Sequence, residues 1–184
     1  MADNACKDAL SVNVRPVRTM EEYDAFWNAK YEFFHRDIFP NCDIGSPLTQ
    51  EDREYFLSRE YRDRIDALCS REIDRAFSMF FEQASVKIGF CLYCTYLSED
   101  GKCFILDFCV LPEYRRRGLG KRCFEALIGL EGTRGAKYYA LNTHSARSMR
   151  FWESVGFRKN GFDEHGSLLM ILPPIEVEAA GEFG

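Results

Sequence analysis

No apolar stretch in these 184 residues reaches the roughly 20 needed to cross a bilayer, so a membrane-spanning helix is not expected. The opening residues carry no apolar run of the secretory kind, which reads as a cytoplasmic protein. Positive charge is not in excess either: 24 Lys and Arg against 29 Asp and Glu leave a net charge of −5. A surface of that sign repels nucleic-acid phosphates and suits cationic or neutral partners. Eight cysteines, at 6, 42, 69, 91, 94, 103, 109 and 123, are scattered without paired metal-ligand spacing. Cys91-x-x-Cys94 comes nearest, but an alternating strand sends residues three apart to opposite faces, and no second pair or nearby histidine completes a zinc site. Reduced thiols and no metal are expected. The mononucleotide P-loop is also missing, because Arg122 follows Lys121 where a magnesium-binding hydroxyl would stand. A nucleotide-binding domain of that kind is therefore disfavoured.

What is present is ample core material, 46% hydrophobic and 15% aromatic, in a chain of ordinary single-domain length. Residues 1–11 read as a loose polar start, 12–174 as one domain, and 175–184 as a short acidic, disordered tail. Val12, Val14 and Pro16-Val17 read as a first strand. Thr19-Met20-Glu21-Glu22 has the form of a capping box, and Met20, Tyr23, Phe26, Trp27, Tyr31 and Phe34 recur at helical spacing. A first helix to about His35 follows. After a loop over 37–47, Thr49-x-x-Asp52 opens a second helix, whose stripe of Phe56, Leu57, Tyr61, Ile65, Leu68 and Cys69 continues to about Glu72.

The texture then changes to strand. Residues 77–82, 86–97 and 103–111 read as an antiparallel meander. In its third strand, alternation puts Phe104, Leu106, Phe108 and Val110 on one face and Ile105, Asp107, Cys109 and Leu111 on the other. Asp107 is thereby a lone carboxylate in an apolar row. Leu119, Cys123, Phe124, Leu127 and Leu130 give the next helix an apolar face, with a parallel strand after it over 136–142. A last helix over 145–155 and a closing hairpin of 157–161 with 167–172 complete the domain.

The chain is organised around the turn between the third meander strand and that crossover helix, Val110 to Lys121. Gly118 and Gly120 leave no side chain in a ligand's way, and the first N–H groups of a helix have no partner within it. Arg115, Arg116, Arg117, Lys121 and Arg122 surround that point, and forked guanidinium groups suit phosphate oxygens. The turn therefore reads as an anion site.

Arg115-Arg116-Arg117-Gly118-Leu119-Gly120 follows the pattern Arg or Gln, two residues, Gly, one residue, Gly or Ala. It resembles the acetyl-CoA signature of the GCN5-related N-acetyltransferase (GNAT) family. The flanks extend the likeness. Asp107 to Tyr114 resembles the family's fourth strand and its exit, and Phe151-Trp152-Glu153-Ser154-Val155-Gly156-Phe157 resembles the end of its last helix. The resemblance runs from about Phe77 to Leu172 and more weakly back to Val12.

The resemblance implies an α/β fold: a mixed, mostly antiparallel central sheet flanked by about four helices, with a strand-helix-strand crossover at the CoA site. It implies transfer of an acetyl group from acetyl-CoA to the primary amine of a small molecule or peptide, by direct attack in a ternary complex, in a monomer or homodimer. Phe108, Cys109 and Val110 would lie along the pantetheine arm, and Arg115, Arg117, Gly118, Leu119, Gly120 and Lys121 at the diphosphate. Asp107 falls where a general base or a holder of the substrate ammonium would work. Glu32, Asp37 and Asp43 become candidates for gripping the amine. The chain departs from the family in its last helix, where Trp152 stands in place of a proton-donating Tyr, and Ser145 and Ser148 in place of Asn and Ala. Water, the Cys109 thiol or His144 remain to protonate the leaving thiolate. An acyl-CoA-binding module with lost or weak turnover is the alternative.

Overall fold

The computed structural model describes residues 11–173, so the expected loose start over 1–11, its last residue apart, and the expected tail over 175–184 lie outside the described residues. Seven strands form one sheet: β1 (Asn13–Pro16), β2 (Ala76–Gln83), β3 (Val86–Tyr96), β4 (Lys102–Val110), β5 (Tyr138–Thr143), β6 (Arg158–Phe162) and β7 (Leu168–Leu172). Their order across the sheet is β1-β2-β3-β4-β5-β7-β6. Every neighbouring pair is antiparallel except β4 and β5, which a helical crossover joins in parallel. The helices are α1 (Met20–Phe33), running on into a π-helical turn (Phe34–Ile38), α2 (Gln50–Leu57), α3 (Arg59–Cys69), α4 (Leu119–Thr133) and α5 (Ala146–Ser154).

Each face of the sheet carries its own core. On one face α4 and α5 bury Phe124, Leu127 and Trp152 against Tyr93, Leu141 and Met170. On the other, α1 and α3 bury Phe26, Trp27 and Ile65 against Phe80, Phe90 and Leu92. Cys91 belongs to the first core and Cys94 to the second, the separation that strand alternation requires. The β2–β3 hairpin closes with Ala84 and Ser85 in the left-handed region (φ 48 and 64), the backbone that lets a two-residue turn follow the sheet twist.

Two local features differ from the sequence reading. The single helix expected from Thr49 to about Glu72 is broken at Ser58, whose extended backbone (φ −77, ψ 160) ends α2. Its hydroxyl accepts the Tyr61 N–H and caps α3, so a serine within an unbroken apolar stripe divides it. The second difference is a β-bulge in β4. Leu92 pairs with Asp107 but Tyr93 pairs with Ile105, which leaves Leu106 without a cross-strand partner. Alternation slips phase there. Cys103 and Ile105 pack into the α4–α5 core, as do Phe108 and Val110 beyond the bulge, while Leu106 and Cys109 join the other core.

Candidate cofactor and acceptor site

The parallel pairing of β4 with β5 stops at Ile105 and Leu141. Past that point β4 is bonded to β3 on one side, through Asp107 to Val110, and has no strand on the other. The splayed strands leave a groove of about 470 Å³ lined by Phe108, Cys109, Val110, Arg115, Arg116, Gly118, Gly120, Lys121, Arg147 and Phe151, among others. A narrow inner pocket of about 80 Å³ continues it, lined by Asp107, Phe108, Thr143, His144, Ser148 and Trp152. Phe33, Asp37, Ile38 and Asn41, from the end of α1 and the loop after it, form a wall common to both.

At the groove's outer end, Pro112–Tyr114 makes one 3-10 turn, and Arg116 (φ 62) and Gly118 (φ 74) then turn the chain through left-handed backbone. The first backbone bond of α4 runs from the Arg122 N–H to the Gly118 carbonyl (3.4 Å), so the N–H groups of Leu119, Gly120 and Lys121 precede the ladder. The other four helices are each capped by a hydroxyl: Thr19, Thr49, Ser58 and Ser145. Helix α4 has neither a side-chain cap nor an acidic residue in its first turn. Its dipole and its free donors are left for an anion.

The two glycines serve different ends. A side chain at Gly118 would meet nothing within 4 Å, so its glycine answers to backbone conformation and leaves open space before the helix. A Cβ at Gly120 would stand 3.0 Å from the Phe151 ring. Gly120 therefore lets α4 close on α5, which shows that the space a ligand needs is not its only function.

Of the residues expected at a diphosphate, Arg115, Gly118, Gly120 and Lys121 line the groove, Leu119 is buried in the core with only its N–H turned to the helix start, and Arg117 is exposed outside the lining. Arg115 is also committed elsewhere. Its Nε donates to the Val110 carbonyl (2.6 Å), and its two terminal nitrogens donate to the Asp37 carboxylate at 2.7 and 2.6 Å. This forked pair ties the turn to the end of α1. Burial opposes ionisation of Asp37, but the Arg115 hydrogen bonds and charge outweigh it and hold the carboxyl below its usual range.

At the inner end Asp107 is not the lone carboxylate that alternation predicts. Beyond the bulge it meets Lys30 of α1, whose Nζ lies 2.7 Å from Oδ2. Lys30 is fully buried, donates to the Tyr61 hydroxyl at 3.2 Å, and stands 5.0, 5.4 and 4.9 Å from the ring centres of Trp27, Phe34 and Tyr61. Burial, followed by the Asp107 charge, pushes the Tyr61 phenol up. Lys30 was legible but unread, since it falls three and four residues from Trp27 and Phe34 on the aromatic stripe of α1.

Trp152 is a core side chain with one face on the pocket. Its ring centre lies 5.2, 5.6, 4.9 and 5.0 Å from those of Phe108, Phe124, Phe151 and Phe157. Cys109 lines the groove with its thiol pushed up to about 12 by burial. Asp43 accepts the Ala146 N–H at 2.9 Å, and Glu32 lines a separate shallow surface with Tyr31 and His35. Three consecutive residues at the end of β5 hold buried polar atoms with no hydrogen-bond partner among the described residues: Asn142 Oδ1, Thr143 Oγ1 and His144 Nδ1. Burial lowers the His144 pKa against the opposing pull of Asp163. Arg116, one of the basic cluster read around the turn, joins the groove wall, as does Arg147, which no motif marked.

A family model described as the Acetyltransferase (GNAT) family matches residues 42–157. Among solved structures, PaiA N-acetyltransferase from Thermoplasma acidophilum in complex with coenzyme A aligns at TM-score 0.59 and 16% identity, over 90% of this chain and 100% of that one. The ribosomal-protein-S18-alanine N-acetyltransferase from Escherichia coli aligns at 0.53 and 20%, over 94% and 98%. Aminoglycoside acetyltransferase AAC(6′)-Ib in complex with coenzyme A aligns at 0.56 and 17%, over 88% and 94%. A search of curated proteins finds no match.

Proposed function

Because the chain belongs to the acetyltransferase (GNAT) family, we propose that it moves an acetyl group from acetyl-CoA to the primary amine of a small molecule or peptide. One observation carries this reading: the uncapped start of α4 and the unpaired edge of β4 open onto the same groove. The diphosphate takes the N–H groups of Leu119, Gly120 and Lys121 in front of Gly118, with the charges of Lys121, Arg116 and Arg117 around it. The pantetheine amides lie along the open edge of β4 at Phe108, Cys109 and Val110, as an added strand would, with the Val110 carbonyl already held by Arg115. Arg115, held by Asp37, contributes by fixing the turn. The thioester then reaches the inner pocket beside the bulge, where backbone displaced from the ladder can meet a developing oxyanion.

The neighbours with this fold include enzymes named for aminoglycoside and protein-alanine acceptors, which supports an amine without choosing one. No helix among the described residues is long and apolar enough to cross a membrane. The seven cysteines among them are free, in keeping with work in the cytoplasm.

Gly118 offers the decisive test, because a side chain there meets open space and Asn and Asp both tolerate left-handed backbone. Gly118→Asp should weaken acetyl-CoA binding at least tenfold more than Gly118→Asn in calorimetric titration, since its carboxylate occupies the anion site. Equal affinities for the two variants would refute the diphosphate assignment. A second reading, a binding module without turnover, draws on Trp152 in the position of the family's phenol. CoA-thiol release with a panel of amines separates them.

A further inference from the structure

We infer that His144 is the proton carrier of this site, taking the proton from the acceptor amine and returning it to the CoA thiolate; this rests on the acetyl-transfer reading above. The other ionisable groups of the inner pocket are already engaged. Asp107 is bonded to Lys30 and Asp37 to Arg115, and neither carboxylate can take a proton without leaving a cation unpaired. Trp152 offers only an indole N–H, which is no acid. His144 alone combines a place on the pocket wall with a buried nitrogen that has no partner among the described residues.

Its backbone is fixed on both sides. Thr143 is paired with Leu168 of β7, and the His144 carbonyl accepts the Ile44 N–H at 2.9 Å. Burial keeps the ring neutral near pH 7, so one of its two nitrogens carries a lone pair. Beside it, Asn142 Oδ1 and Thr143 Oγ1 also lack donors, although the Asn142 amide nitrogen is held by Asp163 at 2.6 Å.

The step balances without any other reactant. The amine enters as its free base, and its nitrogen attacks the thioester carbon, so the C–N bond forms as an N–H proton passes to the His144 imidazole. The tetrahedral oxyanion collapses, the C–S bond breaks, and the imidazolium returns that proton to the departing sulfur. Charges near the ring are Asp163 from the β6–β7 turn, Asp43 from the loop before α2, and Asp37 and Asp107 with their partners Arg115 and Lys30.

The test measures CoA-thiol release from acetyl-CoA with spermidine, kanamycin, n-butylamine and an alanyl peptide, alongside acetyl-CoA titration, for the parent and His144→Gln. Loss of rate by about 10²- to 10⁴-fold with acetyl-CoA affinity unchanged is expected. Added imidazole should restore part of the rate to His144→Ala. Divided by the free-base fraction of the amine, the parent's rate should fall on the acid side only below the ordinary histidine range, and that limb should be absent from His144→Gln. With three histidines in the chain, the His144 ring resonance is also assignable by NMR, and it should shift when acetyl-CoA binds. Parent-like turnover by His144→Gln, or an unmoved resonance, overturns the inference and leaves acetyl transfer standing. A parent that binds acetyl-CoA but turns over none of the amines removes both and leaves the binding module.

Discussion

The two ends of the groove are built in opposite ways. At the outer end the turn, the glycines and the helix start fall within Val110 to Lys121, so neighbours in sequence are neighbours at the site. The inner end is assembled from the end of α1, the bulge of β4, the end of β5 and the start of α5, brought together only by the fold. The outer end offers unpaired backbone donors and an open helix dipole. In the inner end the charges are cancelled in pairs, and Asn142, Thr143 and His144 line the pocket without an ion pair among the described residues. A site for a fixed ligand can be local because its chemistry is mostly backbone. A site that selects a variable acceptor depends on side chains from several elements.

The sharpest way to break this contrast is at Lys30–Asp107. If the pair is structural, Asp107→Ala or Lys30→Met leaves a buried charge uncompensated and should cost about 3–5 kcal/mol in denaturant unfolding. The double change Lys30→Met, Asp107→Leu should recover most of it. If Asp107 is also the base, the double variant will stay about 10²- to 10⁴-fold slower than the parent after its stability is recovered. A near-parental rate in the stabilised double variant would make the pair structural only.

Trp152→Tyr should cost roughly 2 kcal/mol, less than the 3–5 of a large aromatic cut to alanine, because the smaller ring leaves part of the aromatic cluster unfilled. The void adjoins the inner pocket, so rates with propionyl- and butyryl-CoA should rise relative to acetyl-CoA. A uniform rise for all three would mean that a phenol supplies an acid the parent lacks.

The Asp37–Arg115 bridge joins the two ends, and cutting it should be felt at both. Asp37→Asn should lower acetyl-CoA affinity about three- to tenfold. Since the folded carboxyl is held below its ordinary value of about 3.9, its stabilising effect is complete above that pH and is lost as pH falls through the lowered folded value. The melting-temperature gap between parent and Asp37→Asn should therefore be constant from neutral pH to about 5 and close in stronger acid. The smallest effect is expected at Arg147, exposed on the groove wall. Arg147→Ala should weaken acetyl-CoA binding by a few-fold while changing stability by no more than about 0.5 kcal/mol.

Strands and the crossover were legible because their signals are local: 77–82, 86–97 and 103–111 are observed as Ala76–Gln83, Val86–Tyr96 and Lys102–Val110. The glycine turn was legible for the same reason. The setting of Asp107 was not, because a single unpaired residue at Leu106 reverses which face every later side chain takes. No pattern of alternating residues announces that slip. Ser58 could have been read as a cap, but the apolar stripe continued across it and outweighed one hydroxyl. The Arg115–Asp37 bond joins residues 78 apart, beyond any spacing rule.

Arg116 remains, held at φ 62 just before the open helix start. A non-glycine residue there costs of order 1–2 kcal/mol. An anion seated on the N–H groups beyond it would favour that shape in the folded chain and find no counterpart in the unfolded one. At a ligand concentration one hundredfold above Kd, such linkage adds about 2.7 kcal/mol to folding stability. The ligand-loaded protein should therefore unfold at higher denaturant than the empty one, by the margin that Kd and ligand concentration set.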